Sequence, residues 1–122
     1  MAKVTGIGGV FLRCADPKAL SEWYQRVLGF SVEDWGGALF RSDDERPPQV
    51  VWAPFELDTS YFAPSGRDFM INFAVDDLDA MVARLAEQGV QILGREDGDS
   101  NGRFAWFLDP ADIKVELWEP KI

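Results

Sequence analysis

The chain has 122 residues, one cysteine and no histidine, and its 21 acidic and 12 basic side chains leave a net charge of −9. Its basic residues are scattered singly, which excludes a nucleic-acid partner, and no apolar run reaches the ~18 residues of a membrane span. The absence of histidine removes imidazole from both catalysis and metal ligation. One domain of this length can bury enough surface to fold without disulfides or metal. Met1 to Gly6 carries no apolar signal core, so a cytoplasmic location is expected.

Thr5 to Cys14 reads as a first strand, with Val10, Leu12 and Cys14 on one face and Gly9, Phe11 and Arg13 on the other. Cys14, with no histidine to activate it, reads as a reduced core thiol. Asp16 caps a helix and Pro17 fits its first position. Ala19/Leu20, Trp23/Tyr24 and Val27/Leu28 form one stripe at helical period, which places Trp23 and Tyr24 in the core, and Gly29 ends the helix. Phe30 to Trp35, Ala38 to Arg41 and Gln49 to Trp52 read as short strands around Gly36-Gly37 and a polar loop from Ser42 to Pro48. In that loop Asp43-Asp44-Glu45 reads as solvated, and Pro47-Pro48 stays out of any ladder. Ala53 to Asp68 has no period and reads as a linker, although Tyr61 and Phe62 suggest that it packs onto something.

Phe69 to Asp76 restarts the pattern, with Ile71, Phe73 and Val75 toward a core and Met70, Asn72 and Ala74 opposite. Asp77 caps a second helix carrying Leu78, Met81, Val82 and Leu85, ended by Gly89. Val90 to Arg95, Arg103 to Leu108 and Ile113 to Trp118 complete the strands, with Asp97 to Gly102 expected as a polar, mobile loop. Asp16 and Asp77 stand 61 residues apart, half the chain, and the strands before them and the helices after them match at that offset. The order is therefore β-α-β-β-β, twice. This predicts an α+β fold of two tandem βαβββ modules, with an open, cup-shaped mixed sheet and a helix behind each half. The single domain spans 1–122, with module one over about 4–53, a linker over about 54–68 and module two over about 69–120.

Asp16-Pro17 through Trp23-Tyr24 to Gly29-Phe30, Val75-Asp76-Asp77-Leu78-Asp79, and Gly102 through Asp109-Pro110 to Glu119-Pro120 carry a family resemblance. Over essentially its whole length the chain resembles the vicinal oxygen chelate superfamily of glyoxalases, extradiol dioxygenases, and bleomycin- and fosfomycin-resistance proteins. The resemblance implies a divalent ion in the cup, held by His, Gln or Glu from the first and last strands of each module. At the matching positions stand Gly9, Met70, Val50 or Val51, and Glu116, so one ligand of four survives. That is too few for a catalytic divalent ion, and no cofactor is expected. Replacement donors such as Glu56, Asp58 or a partner copy keep a divalent metal open.

Glu116 shares the cup side of its strand with Lys114 and Trp118. It reads either as a salt-bridge partner of Arg13, Arg103 or Lys114, or as a recognition or acid–base group whose pKa an apolar cup raises. Phe11, Trp52 and Trp118 are expected beside it as aromatic walls, with Met70 and Asn72 on the neighbouring strand. The leading functional expectation is a metal-free binding protein for a small organic molecule, cationic or aromatic, as the resemblance to acidic bleomycin-resistance proteins implies. The alternative is a glyoxalase-like lyase or isomerase, with a rebuilt metal site or with Glu116 as base and Arg13 or Arg103 as stabilisers. The resemblance also implies a homodimer.

Overall fold

The computed structural model describes residues 2–28, 30–40 and 50–121; the expected helix end at Gly29 and the loop from Ser42 to Pro48 lie outside the described residues. Its elements are β1 (Val4–Cys14), α1 (Pro17–Leu28), β2 (Ala38–Phe40), β3 (Val50–Glu56), β4 (Phe69–Val75), α2 (Leu78–Glu87), β5 (Gly94–Asp99), β6 (Gly102–Leu108) and β7 (Lys114–Pro120). The strands form one open mixed sheet in the order β2-β3-β1-β4-β7-β6-β5. Each half repeats one pattern: β1 pairs with β3 in parallel and β3 with β2 antiparallel, as β4 pairs with β7 in parallel and β7 with β6 antiparallel. The halves join where β1 and β4 run antiparallel at the centre. One helix lies behind each half, α1 against β3 and α2 against β6 and β7, so the α+β, cup-shaped arrangement is present. Among the described residues no helix is long and apolar enough to cross a membrane.

Both helices start as their sequences dictate. Asp16 Oδ1 accepts from Ala19 N at 3.0 Å, and Asp77 Oδ1 from Ala80 N at 3.1 Å, each carboxylate satisfying a free N–H of the first turn. At the end of α2, Gly89 takes φ +78°, its N–H donates to the Ala86 carbonyl and that of Val90 to the Leu85 carbonyl. This pair of bonds closes the last turn and requires a left-handed residue at Gly89. The apolar stripe of α2 is buried: Leu78 and Met81 pack with Val75, Val115 and Leu117 behind the sheet.

Four local expectations are corrected. Phe30 to Trp35 is not a strand; only Val32 bridges to Ala38, because the chain turns at once, with Gly36 at φ +100° and its N–H bonded to the Glu33 carbonyl. The fifth strand starts at Gly94 rather than Val90, and the expected loop Asp97 to Gly102 is mostly a β5–β6 hairpin. An edge strand of sequence Gly-Arg-Glu-Asp-Gly-Asp has no apolar alternation to read. Its charges keep the edge soluble, and backbone pairing with β6 together with ion pairs of Arg95 and Arg103 to Asp79 and Asp97 holds it in place. Trp23 is not core: it stays 45% exposed, edge-on to Tyr24, while Tyr24 packs against Phe30 and Trp52.

The segment after β3 does more than connect. Pro54, Phe55 and Glu56 complete β3, and the following turns lay Tyr61 and a fully buried Phe62 over the cup side of the sheet. There Phe62 joins Phe11, Ala53 and Met70 in a second apolar cluster, separate from the one under α2.

Candidate functional site

Three adjacent strands align one polar row. The parallel register of β4 and β7 sets Asn72 beside Glu116, and the antiparallel register of β6 and β7 sets Trp106 opposite Glu116 and Phe104 opposite Trp118. The two-residue period of each strand sends these five side chains to the face away from the helices. The neighbours Val115 and Leu117 point the other way, into the cluster under α2. Tyr61 reaches the same row from the turn after β3.

Glu116 sits at the centre of this row, 2% exposed. Its Oε1 accepts from Asn72 Nδ2 at 2.6 Å, and its Oε2 accepts from Trp106 Nε1 at 2.7 Å and from the Tyr61 hydroxyl. Burial pushes the Glu116 pKa above the ordinary carboxylate range, and the three donors only partly oppose it. Burial and the neighbouring carboxylate also push the Tyr61 phenol up, which keeps it a hydrogen-bond donor. Lys114 donates from Nζ to the Tyr61 carbonyl at 2.5 Å and lies 5.1 Å from the Tyr61 ring centre, its own pKa lowered by burial. The carboxylate therefore rests on neutral donors, with the ammonium of Lys114 two residues before it on the same strand.

A cavity of about 510 Å³ opens over this row. Phe11, Trp35, Leu39, Val51, Phe104 and Trp118 wall it, and Glu96, Asp99 and Asn101 from the β5–β6 hairpin complete the lining. Trp118 is fixed by its Nε1 donating to the Asn101 carbonyl at 2.9 Å.

The structure sorts the expected site residues. Glu116, Trp118, Phe11 and Asn72 line the cavity. Met70 is fully buried beneath it in the cluster with Phe62. Trp52 does not face the cup. Val51 and Ala53 take that side of β3, so Trp52 turns to the helices and packs on Tyr24 and Phe30 at 4.7 and 5.2 Å between ring centres. Arg13 and Arg103 do not reach Glu116 either. Arg13 pairs with Asp68 at 3.0 Å and lies over the Phe62 ring, and Arg103 pairs with Asp79, Asp97 and Glu119. Of the two readings open for Glu116, the salt bridge gives way to the Tyr61, Trp106 and Asn72 bonds. Tyr61, Trp106 and Phe104 were missing from the sequence-derived site. The alternation of Phe104 and Trp106 around Ala105, opposite Trp118 and Glu116, was the available signal.

The metal positions implied by the resemblance bring little to this point. Gly9 has no side chain and a Cβ there would run into Val51, Met70 is buried, and both Glu116 oxygens are engaged by N–H and O–H groups. Donor hydrogens, not lone pairs, face the carboxylate, so these residues do not fit a divalent ion. Among the described residues, which include Glu56 and Asp58, no three His, Cys, Asp or Glu side chains converge.

A family model described as the Glyoxalase/Bleomycin resistance protein/Dioxygenase superfamily matches residues 6–117. A search of curated proteins returned no match. Among solved structures, a variant of Streptomyces coelicolor methylmalonyl-CoA epimerase in complex with 2-nitronate-propionyl-CoA superposes with a TM-score of 0.70 at 24% identity, covering 98% of this chain and 100% of that one. Methylmalonyl-CoA epimerase from Mycobacterium tuberculosis gives 0.66 at 29% identity, over 98% and 90%. The 2,3-dioxygenase LapB from Pseudomonas sp. KL28 gives 0.69 at 21% identity, over 98% of this chain and 42% of that one.

Proposed function

The chain belongs to the Glyoxalase/Bleomycin resistance protein/Dioxygenase superfamily, and from that premise we propose that it is a metal-free enzyme moving a proton on a small organic substrate, with Glu116 as the base. One observation carries the reading: a single buried carboxylate, its pKa raised, lies at the floor of an aromatic cavity. A base in that state is more basic than a solvated carboxylate, which suits abstraction of a proton from carbon beside a carbonyl or equivalent group. As Glu116 takes the proton it loses its charge, and the Tyr61 O–H and Trp106 N–H that held it become available to the developing oxyanion. Return of the proton to the other face or to a conjugated carbon gives an epimerase or isomerase. The solved neighbours named as epimerases support this class over the pure binding protein expected from sequence.

Deuterium uptake from heavy water into a panel of small carbon acids, followed by proton NMR, tests the proposal. Glu116→Gln should lower exchange by about 10²-fold or more while leaving the fold unchanged. Exchange that Glu116→Gln does not alter, or a stoichiometric divalent ion in protein purified without chelator, would overturn it. A second reading, sequestration without chemistry, is favoured by the full engagement of both Glu116 oxygens. It predicts tight binding and no exchange. The proposal also includes pairing with a second copy of the chain.

A further inference from the structure

The charges around the cavity bear on what can react inside it. Taking a proton from carbon onto Glu116 moves a negative charge from the protein to the substrate. A site that stabilises such a charge normally offers a metal ion, an arginine or a lysine. Among the described residues none faces this cavity: Arg13 is held by Asp68, Arg103 by Asp79, Asp97 and Glu119, and Lys114 by the Tyr61 carbonyl. The charged residues that do line it are Glu96, Asp99 and Glu116. An anionic intermediate would sit among carboxylates in a poorly screened cup.

We infer that the cup takes a compact, planar organic cation, and that this molecule brings the positive charge that the described lining lacks. The inference rests on the proton-transfer reading and extends it to substrate class. For a cation whose charge is conjugated to the reacting carbon, the C–H bond breaks, its proton forms an O–H bond on Glu116, and its electron pair enters a double bond that neutralises the cationic centre. Two opposite charges become two neutral groups, and no oxidant or second reactant is needed. Within a low-dielectric site that change is easier than relocating a lone negative charge.

The walls fit such a molecule. The Phe104 ring lies nearly parallel to those of Trp118 and Trp106, at 3° and 11°, with ring centres 6.4 and 6.1 Å apart. Aromatic faces attract a cation through the ring quadrupole. The buried polar atoms add an independent indication. Asn72, 3% exposed, lines the cavity, and its Oδ1 is the buried side-chain atom without a hydrogen-bond partner among the described residues. Packed against Gly8 and unpaired, that oxygen adds negative potential to the floor of the cup, which favours a cation and disfavours an anion. The same electrostatics disfavour a carboxylate- or phosphate-bearing substrate such as the CoA esters bound by the neighbours.

Three matched probes test this: 4-acetonyl-N-methylpyridinium, 4-acetonylpyridine kept neutral, and 4-acetonylbenzoate, each titrated calorimetrically into the intact protein. The pyridinium should bind roughly tenfold or more tightly than the benzoate, with a preference that weakens as salt rises. The Glu96→Gln/Asp99→Asn double variant keeps the acceptor oxygens that Gly98 N and Asn101 N use, and it should lose most of that preference while still folding. Equal or tighter binding of the benzoate, or a preference unchanged in the double variant, would overturn the inference. Deuterium uptake into the ring-bound CH2 group, above the uncatalysed background, reports separately on the reaction. Cation preference without Glu116-dependent exchange sinks the proton-transfer reading but leaves the cation site standing, whereas exchange that favours the benzoate does the reverse.

Discussion

Glu116 carries an electrostatic cost that a glutamine at the same place would not. Its pKa is raised in the folded state, so the stability linked to it is fully present below the unfolded carboxylate range and is lost as pH rises through the folded value. Asp79 and Asp97, lowered by their bonds to Arg95 and Arg103, and Asp76, lowered by the Lys3 N–H, act with the opposite sign and lose their contribution as pH falls. Subtracting Glu116→Gln from wild type isolates the first group. The variant should gain on wild type as pH goes from about 5 to about 8, measured by urea denaturation at each pH. Parallel pH curves would show that burial does not perturb this carboxylate. Tyr61→Phe acts on the same group from outside. It removes the hydroxyl that donates to Oε2, so the Glu116 pKa should climb further and the acid limb of the exchange profile should move to higher pH. Stability should fall by roughly 1–3 kcal/mol for the lost bond to a buried charge. A phenylalanine variant that loses stability without any movement of that limb would make Tyr61 a packing residue only.

Strand period was legible where each face has its own chemistry and illegible where both faces are apolar. Along β4 and β7 the alternation separates Asn72, Glu116 and Trp118 from Phe73, Val115 and Leu117, and the structure places them on those sides. Along β3, Val51, Trp52 and Ala53 give no such contrast, so the face taken by Trp52 could not be read and the expectation failed. Tyr61 lies in a segment with no period, and only tertiary folding brings it to Glu116 across 55 residues of sequence. The arginines misled for a related reason, since Arg13 and Arg103 find carboxylates that are distant or on neighbouring elements. Helix ends were legible because capping is local. For α2 this gives a paired prediction. Asp77→Ala should cost about 1 kcal/mol by freeing the Ala80 N–H. Leu78→Ala, at a fully buried position one residue later, should cost roughly 2–5 kcal/mol through the lost contacts and the cavity left behind. Thermal or urea denaturation of both variants checks the order. A larger loss from the cap than from the core would mean that α2 is held by its end and not by its apolar stripe.

At the scale of the molecule, the sheet leaves a seam uncovered. α1 packs on β3, and α2 on β6, β7 and the Phe73–Val75 end of β4, so among the described residues the helix side of β1 and the start of β4 lie between the helices without a covering element. Val4, Ile7 and Val10 of β1 and Phe69 of β4 alternate toward that side and stay 44%, 52%, 38% and 38% exposed. A contiguous apolar strip down the middle of a sheet is what a partner surface looks like, whereas apolar residues scattered singly on a surface need no explanation. The strip follows the join between the two related halves, a line across which one copy can face another about a twofold axis. A twofold contact uses the same strip on both chains and needs only self-complementarity. The strip carries no charge of its own, so the −9 net charge of each chain does not oppose the contact locally. We therefore expect a dimer of about twice 13.7 kDa by light scattering, and Ile7→Asp/Val10→Asp to return the monomer while the cup keeps its probe affinity. The wild-type chain scattering as a 13.7 kDa particle at micromolar concentration would refute the pairing. Loss of cup binding in the monomeric variant would show instead that a second copy helps to shape the cavity.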